Sequence, residues 1–336
     1  MADIFAENFT PRVIKNFGLE YEDLRKIKPD IIMVSSTGYG FYGPWANFGA
    51  TGPATEGAAG LAYQTGYPGD QPVMSEIPYT DYTSGEHTVF AVMAALMHRL
   101  KTGQGQFIDI SQTQATSSTI PEVLMDFSAN GRSGQRMGNQ DVSMSPHGCY
   151  PCKGDDRWIS IAVTTDAQWL ALCRVLGQST WATDLRFEDS LSRWKNRDEL
   201  DSLIRPVTAS WNSHALMTAL QSEGVAAGAV FDSKDLLFDP HLIERGFYEV
   251  VDHHDRTGIP PLPYAGRPWK LSKTPAVMGK SAPVMGEHNC LVLGELLGKT
   301  TKEMAELEDT GITVSYTHLR AHETEADLVC RLVLEK

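Results

Sequence analysis

The sequence predicts an α/β protein, and three observations carry that expectation. A short apolar strand over residues 30–36 runs into a loop rich in Gly, Tyr and Pro from Thr37 to Gly52. A long helix with apolar periodicity starts at Asp81 and leads to a second strand over residues 106–111, itself followed by helical sequence over 112–129. After a polar, Gly-rich stretch over 130–146 the texture changes to paired strands and then a run of helices. Strand and helix in alternation indicate a parallel or mixed sheet with helices on its faces, and the later segment indicates a smaller α+β domain.

At the start, Pro11 sits behind Thr10 where a helix can begin without losing a hydrogen bond, and Gly18 ends that turn. The first segment therefore reads helix, helix, strand. The loop after residues 30–36 leaves the carboxyl end of a buried strand, where α/β sheets bind ligands. Residues 54–62 read as a helix of small side chains and 66–72 as a turn. Beyond Asp81, Val89, Phe90, Val92, Met93, Leu96, Met97 and Leu100 fall at helical spacing. His98, Arg99 and Lys101 load the last turn and Gly103 supplies the stop, which makes this a long buried helix. In 112–129 the inward residues are Ile120, Leu124 and Phe127. Strands follow at Cys149-Tyr150 and 158–163, around a turn at 153–156, then helices over 167–176, 197–210 and 214–223. The expected organisation is a large α/β domain over 1–149, a small α+β domain over 150–255, and a connector and return over 256–312. That last stretch comprises a Pro-rich link at 259–268 and a helix at 287–297. Residues 313–336 read as a non-native tail, with an amphipathic helix over 321–334 as the alternative.

The chain has 336 residues, 42% of them hydrophobic, enough for a proper core. Its apolar stretches are interrupted well short of the roughly 20 residues that a membrane-spanning helix needs. The start shows neither a basic region nor an apolar run of the secretory type, so the expected location is cytoplasmic. Lys and Arg total 29 against 42 Asp and Glu, a net charge of −13, which argues against nucleic-acid and membrane partners. Five cysteines, an odd number in a chain this long, fit a reducing compartment without structural disulfides. Cys149 and Cys152 have redox or zinc spacing. They lack a second pair and lie in a strand and turn, not at the opening of a helix, so no metal or redox role is assigned. His253-His254-Asp255 likewise reads as an exposed turn, because adjacent side chains point apart.

Asp81 precedes the long helix as an N-cap would. The first-turn amides and the helix dipole favour negative charge there, and an ionised carboxylate is a covalent nucleophile. The two readings are compatible.

A set of short runs recurs in a fixed order: Glu7-Asn-Phe-Thr-Pro11, Leu24 to Pro29 with its following strand, and Thr37-Gly-Tyr-Gly-Phe-Tyr-Gly-Pro44. After these come Asp81-Tyr-Thr-Ser-Gly85, Lys101-Thr-Gly-Gln-Gly-Gln106 and Gly286-Glu-His288. Each is weak alone, and their order and spacing resemble the family III CoA-transferases, which include formyl-CoA transferase and the carnitine and bile-acid CoA-transferases. The resemblance runs from about Ala2 to about Thr313. It implies a Rossmann-like large domain, here expected to be incomplete at its N-terminus, plus the smaller α+β domain. It also implies transfer of CoA from an acyl-CoA to a small carboxylic acid, with Asp81 passing through an acyl anhydride and an aspartyl-CoA thioester. CoA and acyl-CoA are substrates, and no permanently bound cofactor is expected. An interlocked homodimer is implied.

By the same resemblance Asn8, Phe9, Thr10 and Arg12 bind CoA, with Lys15 near; Asn16 stands where family members often carry Arg, so one contact is lost. Gly38 and Tyr39 belong to the substrate loop. Glu56 stands one helical turn beyond Gly52, near which relatives have an acidic residue; it either takes that role or packs a helix. Gln140 and His147 fall in a segment near the acyl group, where they can hydrogen-bond an oxyanion or a carboxylate, or serve structure alone. An α-methylacyl-CoA racemase-like enzyme is the alternative activity, weakened because Gly49 to Glu56 has no His for the second base. An inactive CoA-binding fragment is the alternative of a different class.

Overall fold

Three parallel strands order the first half of the chain. The computed structural model describes residues 2–314; the tail expected over 313–336, apart from Thr313 and Val314, the helix considered over 321–334 and Cys330 lie outside the described residues. The chain divides into two units, the first ending at Val230 and the second beginning at Phe231.

In the first unit, β1 (Ile4–Glu7) is followed by α1 (Pro11–Asn16), α2 (Tyr21–Ile27) and β2 (Ile32–Thr37). Next come α3 (Gly52–Ala58), α4 (Leu61–Gln64), α5 (Tyr79–Thr102), β3 (Phe107–Ser111), α6 (Gln112–Ser117) and α7 (Pro121–Asn130). The sheet order is β1-β2-β3, all parallel, with Glu7 opposite Ser35 and Thr37 opposite Ser111. The carboxyl ends of the three strands therefore open onto one edge. β2 is buried on both faces from Ile32 to Ser35, the burial that a parallel strand between helices requires.

Several expectations are corrected here. The opening segment starts with a strand: Ile4, Phe5 and Ala6 are a short apolar run that pairs with β2. The small-residue helix at 54–62 is two pieces, broken at Gly60, whose φ of 86° starts a new turn. The helical stretch at 112–129 is likewise two helices, because Pro121 cannot donate to the turn before it and begins α7 instead. Leu124 and Phe127 are exposed. α5 has the expected length and stop, with Gly103 at φ 73° and its N–H on Arg99 O at 2.8 Å. It is not buried along its apolar stripe: Phe90 is 78% and Leu100 80% exposed, with Val89, Met93 and Met97 also open.

A second sheet, in the order β4-β5-β6, is antiparallel and combines β4 (His147–Pro151), β5 (Trp158–Ala162) and β6 (Ala226–Ala229). Between its last two strands run α8 (Asp166–Val175), α9 (Ser190–Lys195), α10 (Arg197–Thr208) and α11 (Ser213–Ser222). α8 opens with a reciprocal cap, Thr165 and Gln168 each bonding the other's backbone. The core here joins Tyr150, Ile159, Ile161, Trp169, Leu172, Phe187, Leu200, Ile204, Leu216 and Leu220. Trp169 stacks on Trp181 with ring centroids 6.4 Å apart. Arg193, 0% exposed, lies over Trp169 and donates to Asp166 Oδ1 at 2.7 Å, Ser145 O at 3.1 Å and Phe187 O at 3.2 Å. A buried guanidinium is tolerated because its donors are used.

The second unit holds α12 (Ser233–Phe238), α13 (Pro240–Glu244), the antiparallel pair β7 (Tyr248–Val251) and β8 (Leu262–Ala265), and α14 (Thr301–Asp309). The stretch at 259–268 thus contributes a strand as well as a link. The helix expected at 287–297 is a π-helical segment, Cys290–Leu296. His253 meets the Tyr264 hydroxyl at 3.2 Å.

Tyr150 donates to Asp201 Oδ1 at 2.6 Å, and burial pushes both the Asp201 carboxyl and the Tyr150 phenol up. The folded protein then keeps the Asp201 proton to higher pH than the unfolded chain does. That contribution is full below the ordinary carboxylate value and is lost as pH rises through the raised one. From about pH 4 to about pH 7, the unfolding free energy of Asp201→Asn is expected to gain on wild type; a pH-independent difference in urea titrations would contradict this.

Candidate active site

The carboxyl edge of the parallel sheet gathers residues from three loops. β1 delivers Asn8, Phe9 and Thr10, β2 delivers Gly38 and Tyr39, and β3 ends at Ser111 against Gln112. Asp81 joins this edge through a hydrogen bond: Gln112 Nε2 donates to Asp81 Oδ1 at 2.8 Å.

Asp81 is not the N-cap. Pro78, with φ −70°, takes the N-cap position of α5 three residues earlier than expected, so Asp81 lies in the first turn with its N–H on Pro78 O at 3.0 Å. Its carboxylate is exposed, and Oδ2 has no hydrogen-bond partner among the described residues. The turn that carries it is tied to both neighbours. Thr55 Oγ1 on α3 donates to Thr80 Oγ1 at 3.0 Å, and Thr83 Oγ1 meets Thr116 Oγ1 on α6 at 2.9 Å, all four residues being buried.

Gly38 sits where a side chain has no room, since an added Cβ would collide with Ala50. Its carbonyl accepts from Thr113 N at 3.0 Å and Thr113 Oγ1 at 2.8 Å, fastening the loop after β2 to the start of α6. Tyr39 packs edge-on to Trp45 and Phe48, centroids 5.7 and 6.4 Å away. Phe9 is 51% exposed, its N–H bound to Glu7 Oε2 at 2.7 Å. Thr10 precedes α1, and Arg12 projects from that helix, exposed to solvent.

Glu56, 2% exposed, does not face this edge as a free group. Its two oxygens accept from Ser75 N at 2.9 Å and Ser75 Oγ at 2.8 Å, which fixes the segment leading into Pro78 and α5.

Gln140 and His147 come together elsewhere, on a cavity of about 570 Å³ walled by β4, α10 and the loop carrying Tyr67 and Pro68. Asp81, Glu56, Gly38 and Asn8 are not among its lining residues. Gln140 is engaged at both ends, accepting from Arg197 Nε at 3.1 Å and donating to Asp198 Oδ1 at 3.0 Å. His147 donates through Nδ1 to Asn139 O at 2.7 Å, and its Nε2 has no hydrogen-bond partner among the described residues. Arg205 lines the same cavity with no hydrogen-bond partner for its guanidinium among the described residues.

Cys149 and Cys152 are free thiols, their pKa values raised by burial, and burial pushes the Cys173 thiol up to about 12. Among the described residues no group of three or more His, Cys, Asp or Glu side chains is placed to hold a metal. Two residues escaped the sequence reading, Gln112 and Arg205. Gln112 carried one usable signal, its place directly after the carboxyl end of a predicted strand; Arg205 looked like any solvated helix residue.

The model of CoA-transferase family III matches residues 1–289. The chain belongs to that family. This family III CoA-transferase is 32% identical to the succinate–glutarate CoA-transferase of Agrobacterium fabrum over 295 residues, 88% of this chain and 72% of that protein. It is 29% identical to the succinyl-CoA–D-citramalate CoA-transferase of Chloroflexus aurantiacus, covering 91% of this chain and 75% of the other. Among solved structures, a CAIB/BAIF family protein from Brucella suis superposes with a TM-score of 0.79 at 29% identity, over 88% of this chain and 75% of that one. The fold is thus the α/β fold of these proteins, and the enzyme acts on CoA thioesters.

Removing the buried Glu56 side chain strands the Ser75 N–H. Glu56→Ala is expected to lower the unfolding free energy by about 1–3 kcal/mol, measured by urea titration, and an unchanged midpoint would count against the clamp.

Proposed function

We propose that this CoA-transferase moves CoA from an acyl-CoA donor to a small carboxylic acid through covalent chemistry on Asp81. The observation that carries the reading is the Asp81 carboxylate itself: exposed at the carboxyl edge of a parallel sheet, held by one oxygen and open at the other. Asp81 Oδ2 attacks the thioester carbonyl, the C–S bond breaks, and the CoA thiolate leaves an acyl–aspartyl anhydride. The thiolate then attacks the aspartyl carbonyl and releases the donor acid, leaving an aspartyl-CoA thioester. The acceptor carboxylate attacks that thioester, a second anhydride forms, and thiolate attack on its acceptor carbonyl gives the new acyl-CoA and restores Asp81. A carboxylate suits this sequence because both intermediates stay activated toward another carboxylate.

CoA contacts are assigned to Asn8, Phe9, Thr10 and Arg12, which leave β1 on the same edge as Asp81. Gly38 lets the loop after β2 pack against Ala50, which positions Tyr39 as an aromatic wall. Relatives named for succinate, glutarate and D-citramalate favour a dicarboxylic acid among the substrates. In the 570 Å³ cavity, Arg205 and His147 are the groups available to a carboxylate. A homodimer accounts for the apolar stripe of α5, which a second copy would cover. No helix among the described residues is long and apolar enough to cross a membrane, which accords with a cytoplasmic site of action.

Asp81→Asn keeps the shape and the Gln112 contact but removes the nucleophile. Transfer from succinyl-CoA to a panel of acids is expected to fall by about a thousandfold or more. Thioester exchange persisting in that variant would overturn the mechanism.

A further inference from the structure

The amide of Gln112 stands 2.8 Å from Asp81 Oδ1, the oxygen that stays on the aspartyl carbon throughout the sequence of steps set out above. We propose that Gln112 is a catalytic residue of CoA transfer, its Nε2–H stabilising the negative charge that forms on Asp81 Oδ1 when thiolate or acceptor attacks the aspartyl carbonyl. The inference rests on Asp81 being the nucleophile.

The charge appears at a definite place. In the first anhydride, Asp81 Cγ carries Oδ1 as its carbonyl oxygen and Oδ2 as the bridge to the donor acyl group. When the CoA thiolate adds to Cγ, the carbonyl pair moves onto Oδ1; as the tetrahedral species collapses, that pair re-forms the carbonyl and the Cγ–Oδ2 bond breaks, expelling the donor carboxylate. The acceptor carboxylate later adds to the same carbon, charge returns to Oδ1, and thiolate is expelled. Two of the four transfers therefore build an oxyanion on the atom that Gln112 already holds, and a donor fixed in advance at that position is what lowers such barriers. In the resting enzyme the same bond withdraws charge from Oδ1 and leaves the first attack to Oδ2.

Gln112 is well placed to act without reorganising. It is the first residue of α6, directly after β3, and both backbone neighbours are anchored. Ser111 caps the helix through Gln114 N, and Thr113 bonds Gly38 O with both its N–H and its hydroxyl. The opposite side of the gap is held by the Thr83–Thr116 pair, which fastens α6 to the turn that carries Asp81. Donor and acceptor are thus mounted on two helices joined a single turn away.

Two variants test the assignment in the intact enzyme. Gln112→Met keeps the length and loses the donor; kcat should fall by about 10²–10³ with KM for succinyl-CoA nearly unchanged. With succinyl-CoA alone and a rapid acid quench, intact-protein mass should show the CoA adduct on wild type and the succinyl adduct on Gln112→Met, because the step that slows is thiolate attack on the aspartyl carbonyl. Gln112→Glu donates only when protonated, so its rate should recover as pH falls, a response that a merely structural role would not give. Wild-type turnover and the CoA adduct in Gln112→Met, or a Gln112→Glu rate that does not rise at low pH, would overturn the proposal and leave Asp81 as nucleophile. Absence of any adduct on wild-type Asp81 during transfer would remove the mechanism and this inference together.

Discussion

Thr55 donates to Thr80, and Thr83 meets Thr116, so the first turn of α5 is tied on both sides by hydroxyl pairs sealed from solvent. Made, such a bond contributes only about 1 kcal/mol; broken on one side, it leaves a buried polar atom that costs about 1–3 kcal/mol. That asymmetry makes the pairs devices of register more than of stability. Thr55 and Thr83 also reach carbonyls of their own segments, but the Thr80 and Thr116 hydroxyls have no other partner among the described residues, which favours the arrangement of α3, α5 and α6 that supplies one. In that arrangement Asp81 lies across from Gln112. Glu56 adds a further constraint from below, gripping Ser75 so that the chain arrives at Pro78 on a fixed path.

The sequence made the architecture legible where pattern and chemistry agree. Ile32 to Ser35 form a continuous buried run, and the stop at Gly103 has the left-handed backbone that its position demanded. The site was legible in part. Asp81 stood out, but its place in the helix was misjudged because an acidic residue before an apolar run looks the same at the cap and in the first turn. Pro78 decided between them. Glu56 looked like a candidate for chemistry, and no pattern could show that Ser75, nineteen residues on, consumes both its oxygens. Gln112 was passed over for the opposite reason: its place after a strand end was its one signal, and an uncharged side chain acquires the rest of its meaning from what the fold sets beside it.

The apolar stripe of α5 shows what periodicity does and does not report. Val89, Phe90, Met93, Met97 and Leu100 do share a helical face, as the spacing required, yet that face is open in the single chain. Hydrophobic spacing records that a surface is to be covered and is silent about whose atoms cover it. Burial therefore does not follow from such a pattern by itself; in α5 the pattern fixed the face and not its cover.

The guanidinium of Arg193 is sealed between Trp169 and the carbonyls of Ser145 and Phe187, while Ser145 returns a hydroxyl to the Arg193 carbonyl. The loop that ends at His147 is thus fastened to the helical layer at this interior staple and again further along, where Trp194 Nε1 donates to Asp141 O and Arg197 Nε to Gln140 Oε1, both at 3.1 Å. The span from Gly138 to Met144 is therefore held along its course as well as at its end: a change of length there would have to break the bonds to Asp141 and Gln140, whereas the buried guanidinium would keep the end of the loop in place.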